Sequence, residues 1–281
     1  MSRPTVFAEQ LKDPAVAAAL RRHREDRDAL LRSLTASLQS DPRVRAAWLW
    51  GSFGRDEADD LSDLDPWLLV ADEAVAEMGP TLRLYAEQTG SLISGGEAPQ
   101  NAPPGGGYFG SLHEGRHGLL HVDCYWQPQS SVTSVPEHAV LFDRLNERNG
   151  PAGEPPVPHS VLPDANDGDR GRIAGGIGFA WLMFSIAAKY LARDPASDMG
   201  LMLYPRQRLE EAITRLGQAE ALLPLDWSVP EKPLEKAARL RSLVEKAEQA
   251  TEAANAQGLS LSLRYAPCLR RYLEMVEGIL K

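Results

Sequence analysis

The chain is short of cysteine: Cys124 and Cys268 are the only two in 281 residues. Two distant cysteines make neither a disulfide framework nor a Cys-based metal spacing. Long apolar runs are also missing. The longest strongly apolar stretch without a charge, Ile173–Ala188, has 16 residues with three glycines among them, short of the ~20 that a bilayer-spanning helix needs. The start, MSRPTVFAEQLKDP, has no apolar core of a secretory signal, so a cytoplasmic location is expected. Compositional extremes are absent too. With 43% hydrophobic and 25% charged residues, collagen-like, disordered and polytopic membrane chains are excluded. Basic charge is scarce in the first part of the chain. The net charge is −9. Residues 1–169 hold 14 Lys and Arg against 26 Asp and Glu, a balance of −12, whereas residues 170–281 hold 16 against 13, a balance of +3. A nucleic-acid track needs a basic stripe and is not expected. The acidic part fits a site for metal cations or a cationic small substrate.

What is present falls into two patterns. Asp13-Pro14 reads as a helix start, and Val16, Ala19, Leu20, Leu30, Leu31, Leu34 and Leu38 recur near helical spacing up to about Gln39. The charges Arg21, Arg22, Arg24 and Arg27, mixed with Glu25, Asp26 and Asp28, read as a solvated face. Asp41-Pro42 ends this helix. VRAAWLW (44–50), LDPWLLV (64–70) and LLHVDCYW (119–126) read as strands, the last paired with 108–112 across the turn 115–118. A helix is expected over 73–88 with a break at Gly79-Pro80, and a loop over 95–107. Five prolines and four glycines in residues 150–171 mark a linker, after which strand signals vanish and 173–191, 205–223, 233–256 and 259–280 read as helices. The expected fold class is α+β: a small mixed-sheet domain with flanking helices over 1–150, a Pro/Gly-rich linker over 151–171 and an all-α helical-bundle domain over 172–281.

The chemistry concentrates in GSFGRDEADDLSDLDPWLLV (51–70). Asp63 and Asp65 are two apart, which on a strand turns both carboxylates to one face. Like charges side by side repel, and a cation relieves them; oxygen ligands select a hard one, Mg²⁺ above all. Asp123 stands at mid-strand, where alternation puts His121, Asp123 and Tyr125 on one side and Val122 and Cys124 on the other. An acid there is costly unless paired or ligating. If the two strands are neighbours, three carboxylates converge and can hold two ions. Gly51 lets a backbone approach a phosphate, the Ser52 hydroxyl can donate to it, and Arg55 and Ser62 are further candidates. The remaining acids of the loop, Asp56, Glu57, Asp59 and Asp60, read as solvated. His113, His117 and His121 sit in a glycine-turned hairpin and read as pairing or surface residues. Trp48, Trp50, Trp126 and Trp181 read as core, with Tyr108, Tyr125 or Trp126 as residues that could border a substrate pocket.

Gly51-Ser52, Arg55, Ser62-Asp63-Leu64-Asp65 and the later Asp123 resemble the motif of the DNA polymerase β superfamily of nucleotidyltransferases: Gly-Ser, roughly ten residues, Asp-x-Asp, and a third acid among apolar residues. Length and layout are similar to the bacterial antibiotic nucleotidyltransferases, which modify aminoglycosides or lincosamides and join a small transferase domain to a helical one. The resemblance implies a cytoplasmic, Mg²⁺-dependent transfer of a nucleoside monophosphate, AMP from ATP, to a hydroxyl of a small molecule with release of pyrophosphate. Asp63, Asp65 and Asp123 would be catalytic and hold two Mg²⁺ ions; Gly51, Ser52, Arg55, Ser62 and Lys189 would bind the nucleotide. Lys189, alone in the apolar run AWLMFSIAAKYLAR, reads equally as a lysine reaching solvent and as the helical-domain lysine of such enzymes. Tyr204 and Arg206 are weaker candidates. Pro66 departs from the pattern by removing a ladder N–H, which predicts an edge or a bulge there. Glu97 and Glu114 both remain open as an additional base. A protein-modifying transferase of toxin–antitoxin type, or a non-catalytic nucleotide-binding module, are the alternatives.

Overall fold

The structure is a computed structural model that describes residues 5–131, 139–145, 168–196 and 200–281. Its architecture is mixed: one six-stranded sheet and a set of helices, with a helical C-terminal region. The chain divides into two compact units. The sheet unit comprises Arg24–Gly115 and Leu120–Pro163. The helical unit comprises Asp164–Lys281 together with Met1–His23 and Arg116–Leu119. The expected boundaries, 1–150 and 172–281, leave out this exchange. Its cause is the length of α1 (Pro14–Ser40), which at ~1.5 Å per residue runs about 40 Å and serves both units. Most of the expected linker, 151–167, lies outside the described residues.

Asp13 starts α1 as its sequence requires, accepting the amide hydrogens of Ala15 at 2.8 Å and Val16 at 3.4 Å. After it come β1 (Val44–Leu49), α2 (Gly51–Gly54), β2 (Pro66–Val70), α3 (Met78–Gln88), β3 (Leu92–Glu97), β4 (Gly107–Gly115), β5 (Gly118–Pro128) and β6 (Val140–Asp143). The strand order is β3-β4-β5-β2-β1-β6. β2 runs parallel to β5, with Trp67 opposite Tyr125; β1 is antiparallel to β2 and to β6, and β3 is antiparallel to β4. One face of the sheet buries Leu68, Cys124, Trp126 and Phe109 against α1 and α3, with Leu64, Leu120 and Val122 meeting Leu30 and Leu34 alongside. The other face carries Trp48, Trp67 and Leu69, with Trp50 and Tyr125 packed on them.

Several expectations need correction. Gly79-Pro80 does not break a helix; the change from 3₁₀ (Asp72–Glu77) to α falls just before it, and Pro80 sits in the first turn of α3, where its missing N–H is not needed. Part of the expected loop is strand β3. Gly95 and Gly96 belong to it, and Gly95 admits the Phe109 ring of β4, whose Cζ would lie 2.6 Å from a Cβ there. Strand β6 was not expected at all. Pro66 lies in a central strand, tolerated because it is the first residue of β2. Arg24 and Arg27 are not on a solvated face; Arg27 is buried, and both reach the acidic loop described below.

The helical unit holds α4 (Asp169–Arg193), α5 (Gly200–Leu203), α6 (Arg206–Arg215), α7 (Ala219–Leu222), α8 (Pro233–Ala256) and α9 (Tyr265–Ile279). The single helix expected over 205–223 is split at Gly217, whose φ of +69° ends α6. The helix expected from Leu259 begins only at Tyr265; before it, Asn255 pairs with both the N–H and the C=O of Leu261. α4 packs against α5, α6, α8 and α9. It is longer than its apolar run, since charged residues extend it at both ends. By length and composition it could cross a membrane, but 56% of its apolar window is buried within the protein, as in a core helix. Trp181 lies there, stacked on Tyr265 at 5.4 Å. The start of α1 belongs to this packing: His23 lies 5.3 Å from the Tyr272 ring, and a Cβ on Gly278 would meet Val16 at 2.5 Å.

In the sheet unit, Asp41 closes α1 and is fully enclosed by donors: the backbone N–H of Arg43 at 2.9 Å, its guanidinium at 2.8 Å and the Tyr85 hydroxyl at 2.8 Å. Burial alone would raise this carboxyl, but the hydrogen bonds from Arg43 and Tyr85 outweigh it and hold it below the usual carboxylate range. A depressed folded pKa contributes stability above the unfolded value of 3.8 and loses it as the pH falls through the folded one. Asp41→Asn therefore costs about 2 kcal/mol at pH 7. Urea denaturation at a series of pH values shows the gap to the unmodified protein narrowing below pH 3.8.

Candidate active site

The site grows from the ladder between β2 and β5. Leu64 donates to the carbonyl of His121 at 3.1 Å, and Asp123 donates to the carbonyl of Leu64 at 2.9 Å, so the parallel pairing continues past Pro66 as a bridge between Leu64 and Val122. Leu64 and Val122 point into the core. Alternation then sends Asp63, Asp65, His121 and Asp123 to the opposite face, with Asp65 beside Asp123 and Asp63 beside His121.

His121 stands between two of these acids. Its Nε2 is 3.0 Å from Asp123 Oδ1 and its Nδ1 is 3.8 Å from Asp63 Oδ2. Burial works against a charged imidazole here, but Asp123 and then Asp63 outweigh it and push the pKa up to about 10. The Tyr108 hydroxyl, on β4, donates to the same Oδ1 of Asp123. Burial, then the Asp123 charge, raise that phenol well above its ordinary value. Tyr125 completes the wall: its ring stacks on Trp67 at 5.2 Å and tilts against Tyr108 at 5.2 Å. Its phenol is raised by burial first and by Asp123 and Asp65 after it.

Gly51 brings the turn after β1 against Asp65. Its φ is +63°, and a Cβ there would lie 2.2 Å from Asp65 Oδ2. The Trp50 N–H donates to the Asp65 carbonyl at 2.8 Å. Phe53, in the same turn, packs on the cluster of Leu64 and Val122 and lies 5.0 Å from the guanidinium of Arg27. Arg27 in turn donates to the carbonyls of Asp59 at 2.7 Å and Ser62 at 3.4 Å, and Arg24 pairs with Asp60 at 2.9 Å. Asp59 and Asp60, 3% and 2% exposed, are thus structural anchors and not solvated acids. Ser62 is spent in the same loop: its hydroxyl donates to Asp59 Oδ1 and accepts from the Asp59 N–H, both at 2.9 Å. A phosphate would have to displace that pair. Asp56 and Glu57 are exposed as expected, and Arg55 is paired with Glu57 at 2.8 Å.

The expected residues therefore divide. Asp63, Asp65, Asp123 and Gly51 come together at one corner of the sheet, with Ser52 next in the turn; Arg55 lies at the surface. Lys189 belongs to the helical unit, 7% exposed and 5.7 Å from the Tyr190 ring, so it is not a lysine reaching freely into solvent. Tyr204 and Arg206 are in that unit too, Tyr204 against Phe179 at 5.8 Å and Arg206 with Glu210 at 3.4 Å. Glu97 lies on β3 against Gly79. Trp126 faces the core, its Nε1–H on the Val75 carbonyl at 3.0 Å, and borders no site; Trp48 and Trp181 are core as expected. His113 is a buried pairing residue between Ser91 and Ser111, 3.0 Å from each. His121, expected in the same class, is instead part of the acidic group. Alternation alone had already put it on the face of Asp123.

Hard carboxylate oxygens on one face suit a divalent cation in kind. Among the described residues, however, no group of three or more His, Cys, Asp and Glu side chains is gathered about one point that could hold a metal ion. The reason is visible in the contacts: Asp123 is turned to Tyr108 and His121, and His121 separates it from Asp63. No family model matches the chain, and no curated protein matches it.

Gly51 gives a direct check of this corner. Gly51→Ala meets both a left-handed backbone and the Asp65 carboxylate, whereas Gly90→Ala meets a φ of +72° with nothing within 4 Å. Strain alone costs about 1 kcal/mol, and the collision raises the cost at Gly51 to about 3 kcal/mol. Equilibrium urea denaturation of the two variants measures the difference.

Proposed function

We propose that the chain is a Mg²⁺-dependent nucleotidyltransferase that moves AMP from ATP to a hydroxyl of a small molecule and releases pyrophosphate. One observation carries the reading: the parallel register that sets Asp123 beside Asp65, next to the Gly51–Ser52 turn. The sequence resemblance to polymerase β-type transferases supplies the reaction class, and the acidic balance of residues 1–169 is compatible with a cationic acceptor such as an aminoglycoside, or with a lincosamide.

In this reading Asp63, Asp65 and Asp123 would have to draw together to hold the cations, Asp123 by turning away from His121, and Asp123 would hold the one nearest the acceptor. A bound divalent ion supplies charge neutralisation on the triphosphate and a lower pKa for the acceptor hydroxyl. The chain's own residues do the rest. The Ser52 hydroxyl, in the turn that Gly51 seats against Asp65, donates to a phosphate. Asp123 orients the acceptor hydroxyl and takes its proton. The oxygen then bonds to the α-phosphorus as the bond to pyrophosphate breaks, and the leaving group carries away the electron pair. Tyr125 and Trp67, their rings stacked at 5.2 Å, form an aromatic wall next to Asp65 and Asp123 along β2 and β5.

The test is incubation with α-labelled ATP, Mg²⁺ and a panel of aminoglycosides and lincosamides. The label moves to a small molecule with equimolar pyrophosphate. Label on protein instead supports the protein-modifying alternative, and nucleotide binding without pyrophosphate release supports a binding module. Asp63→Asn and Asp65→Asn lower turnover on the order of a thousandfold while circular dichroism and the melting temperature stay close to the parent's. Undiminished turnover in both variants removes these acids from the mechanism.

A further inference from the structure

We propose that the cleft at the start of α6 is a second binding site, and that it takes a small zwitterion: an amino acid with an apolar side chain. The inference does not depend on the transferase reading, since every residue it uses belongs to the helical unit.

The cleft has a volume of about 530 Å³ and is lined by Gly200, Leu203, Tyr204, Arg206, Gln207 and Glu210. That is ample room for a ligand of amino-acid size. Its lip is apolar. Among the described residues five large apolar side chains are exposed, and Leu203 and Tyr204 are the only two of them adjacent in the chain, at 40% and 58%. A pair of exposed apolar side chains on the rim of a cleft marks a binding surface more strongly than scattered single ones. Tyr204 is also steadied there. Its ring tilts on Phe179 of α4 at 5.8 Å, and the guanidinium of Arg208 lies 4.9 Å from the same Phe179 ring.

The charges of the cleft decide the chemistry. Arg206 and Glu210 are four apart on α6, so they share one side of the helix, with Arg206 Nε 3.4 Å from Glu210 Oε1. Arg206 is 60% exposed and can present its fork to a carboxylate. Glu210 is fixed from behind by the Trp227 indole, whose Nε1–H donates to Oε1 at 2.7 Å. One guanidinium, one carboxylate, the Gln207 amide and an apolar lip make a neutral, dipolar pocket. Its complement carries a carboxylate for Arg206, an ammonium for Glu210 and an apolar body for Leu203 and Tyr204. A nucleoside triphosphate fits poorly, because it brings several negative charges to a single arginine and would meet Glu210 as well.

Phenylalanine is the probe, titrated calorimetrically into the full chain. Phenylpropionate, which lacks the ammonium, and phenethylamine, which lacks the carboxylate, are the comparisons. Phenylalanine binds at one site per chain, and each comparison compound binds about tenfold more weakly. Arg206→Gln, Glu210→Gln and Tyr204→Ala each weaken phenylalanine binding by about the same factor, with circular dichroism and melting temperature unaltered. Glu210→Gln keeps an acceptor for the Trp227 indole, so its loss of affinity reports the charge and not the fold. Absence of heat from phenylalanine at millimolar concentration overturns the proposal. Equal binding of all three compounds overturns it too, leaving only an apolar patch. Undiminished phenylalanine binding in Arg206→Gln and Glu210→Gln moves the site elsewhere. Displacement of phenylalanine by ATP, with weaker ATP binding in Arg206→Gln, assigns the cleft to the nucleotide instead.

Discussion

Two backbone hydrogen bonds decide the character of this protein. The N–H of Leu64 to the carbonyl of His121, and the N–H of Asp123 to the carbonyl of Leu64, fix the register of two strands that are far apart in sequence. Because side chains alternate with a period of two, that register sends Leu64 and Val122 to the core and Asp63, Asp65, His121 and Asp123 to the other face. A slip of one residue would exchange these sets. It would drive three carboxylates into the layer where Leu30, Leu34, Phe53 and Leu120 pack, and the cost of burying them unpaired would exceed any gain from the ladder. The fold and the candidate chemistry are therefore set by the same constraint.

The concentration of negative charge that follows is tolerated because it is answered locally. Within the acidic loop, Arg24 and Arg27 of α1 take Asp60 and the carbonyls of Asp59 and Ser62. On the sheet, the imidazole of His121 lies between Asp63 and Asp123, and the Tyr108 hydroxyl shares the load on Asp123. Asp65 lies against Gly51, where the absence of a Cβ gives its carboxylate room.

Much of this was legible in the sequence, for reasons that can be traced. α1 shows its cap and its apolar spacing; β1 and β5 show aromatic and apolar runs, one ended by Gly51 and the other opened by Gly118; and the face shared by His121, Asp123 and Tyr125 follows from alternation alone. What escaped depends on partners distant in the chain. Asp59 and Asp60 look like surface acids until Arg24 and Arg27, more than thirty residues earlier, are brought to them. Ser62 looks available until its exchange with Asp59 is seen. β3 is hidden by Gly95 and Gly96, which read as loop; the reason for Gly95 is a phenylalanine on the next strand. β6 is four residues long and carries too little pattern to announce itself. The reaction class proposed above comes from the sequence resemblance alone, and no distance in the structure contains it.

The long first helix carries an implication for dissecting the molecule. Its opening turns contribute Val16 and His23 to the packing around Gly278 and Tyr272, while its closing turns lie beneath the sheet. Cleavage within the Pro/Gly-rich segment would therefore not release two self-sufficient halves. A C-terminal fragment would lack the pieces of its interior that the opening turns of α1 supply, and an N-terminal fragment would carry a half-exposed apolar rod. Complementation of the two pieces, rather than independent folding of either, is the behaviour this connectivity imposes.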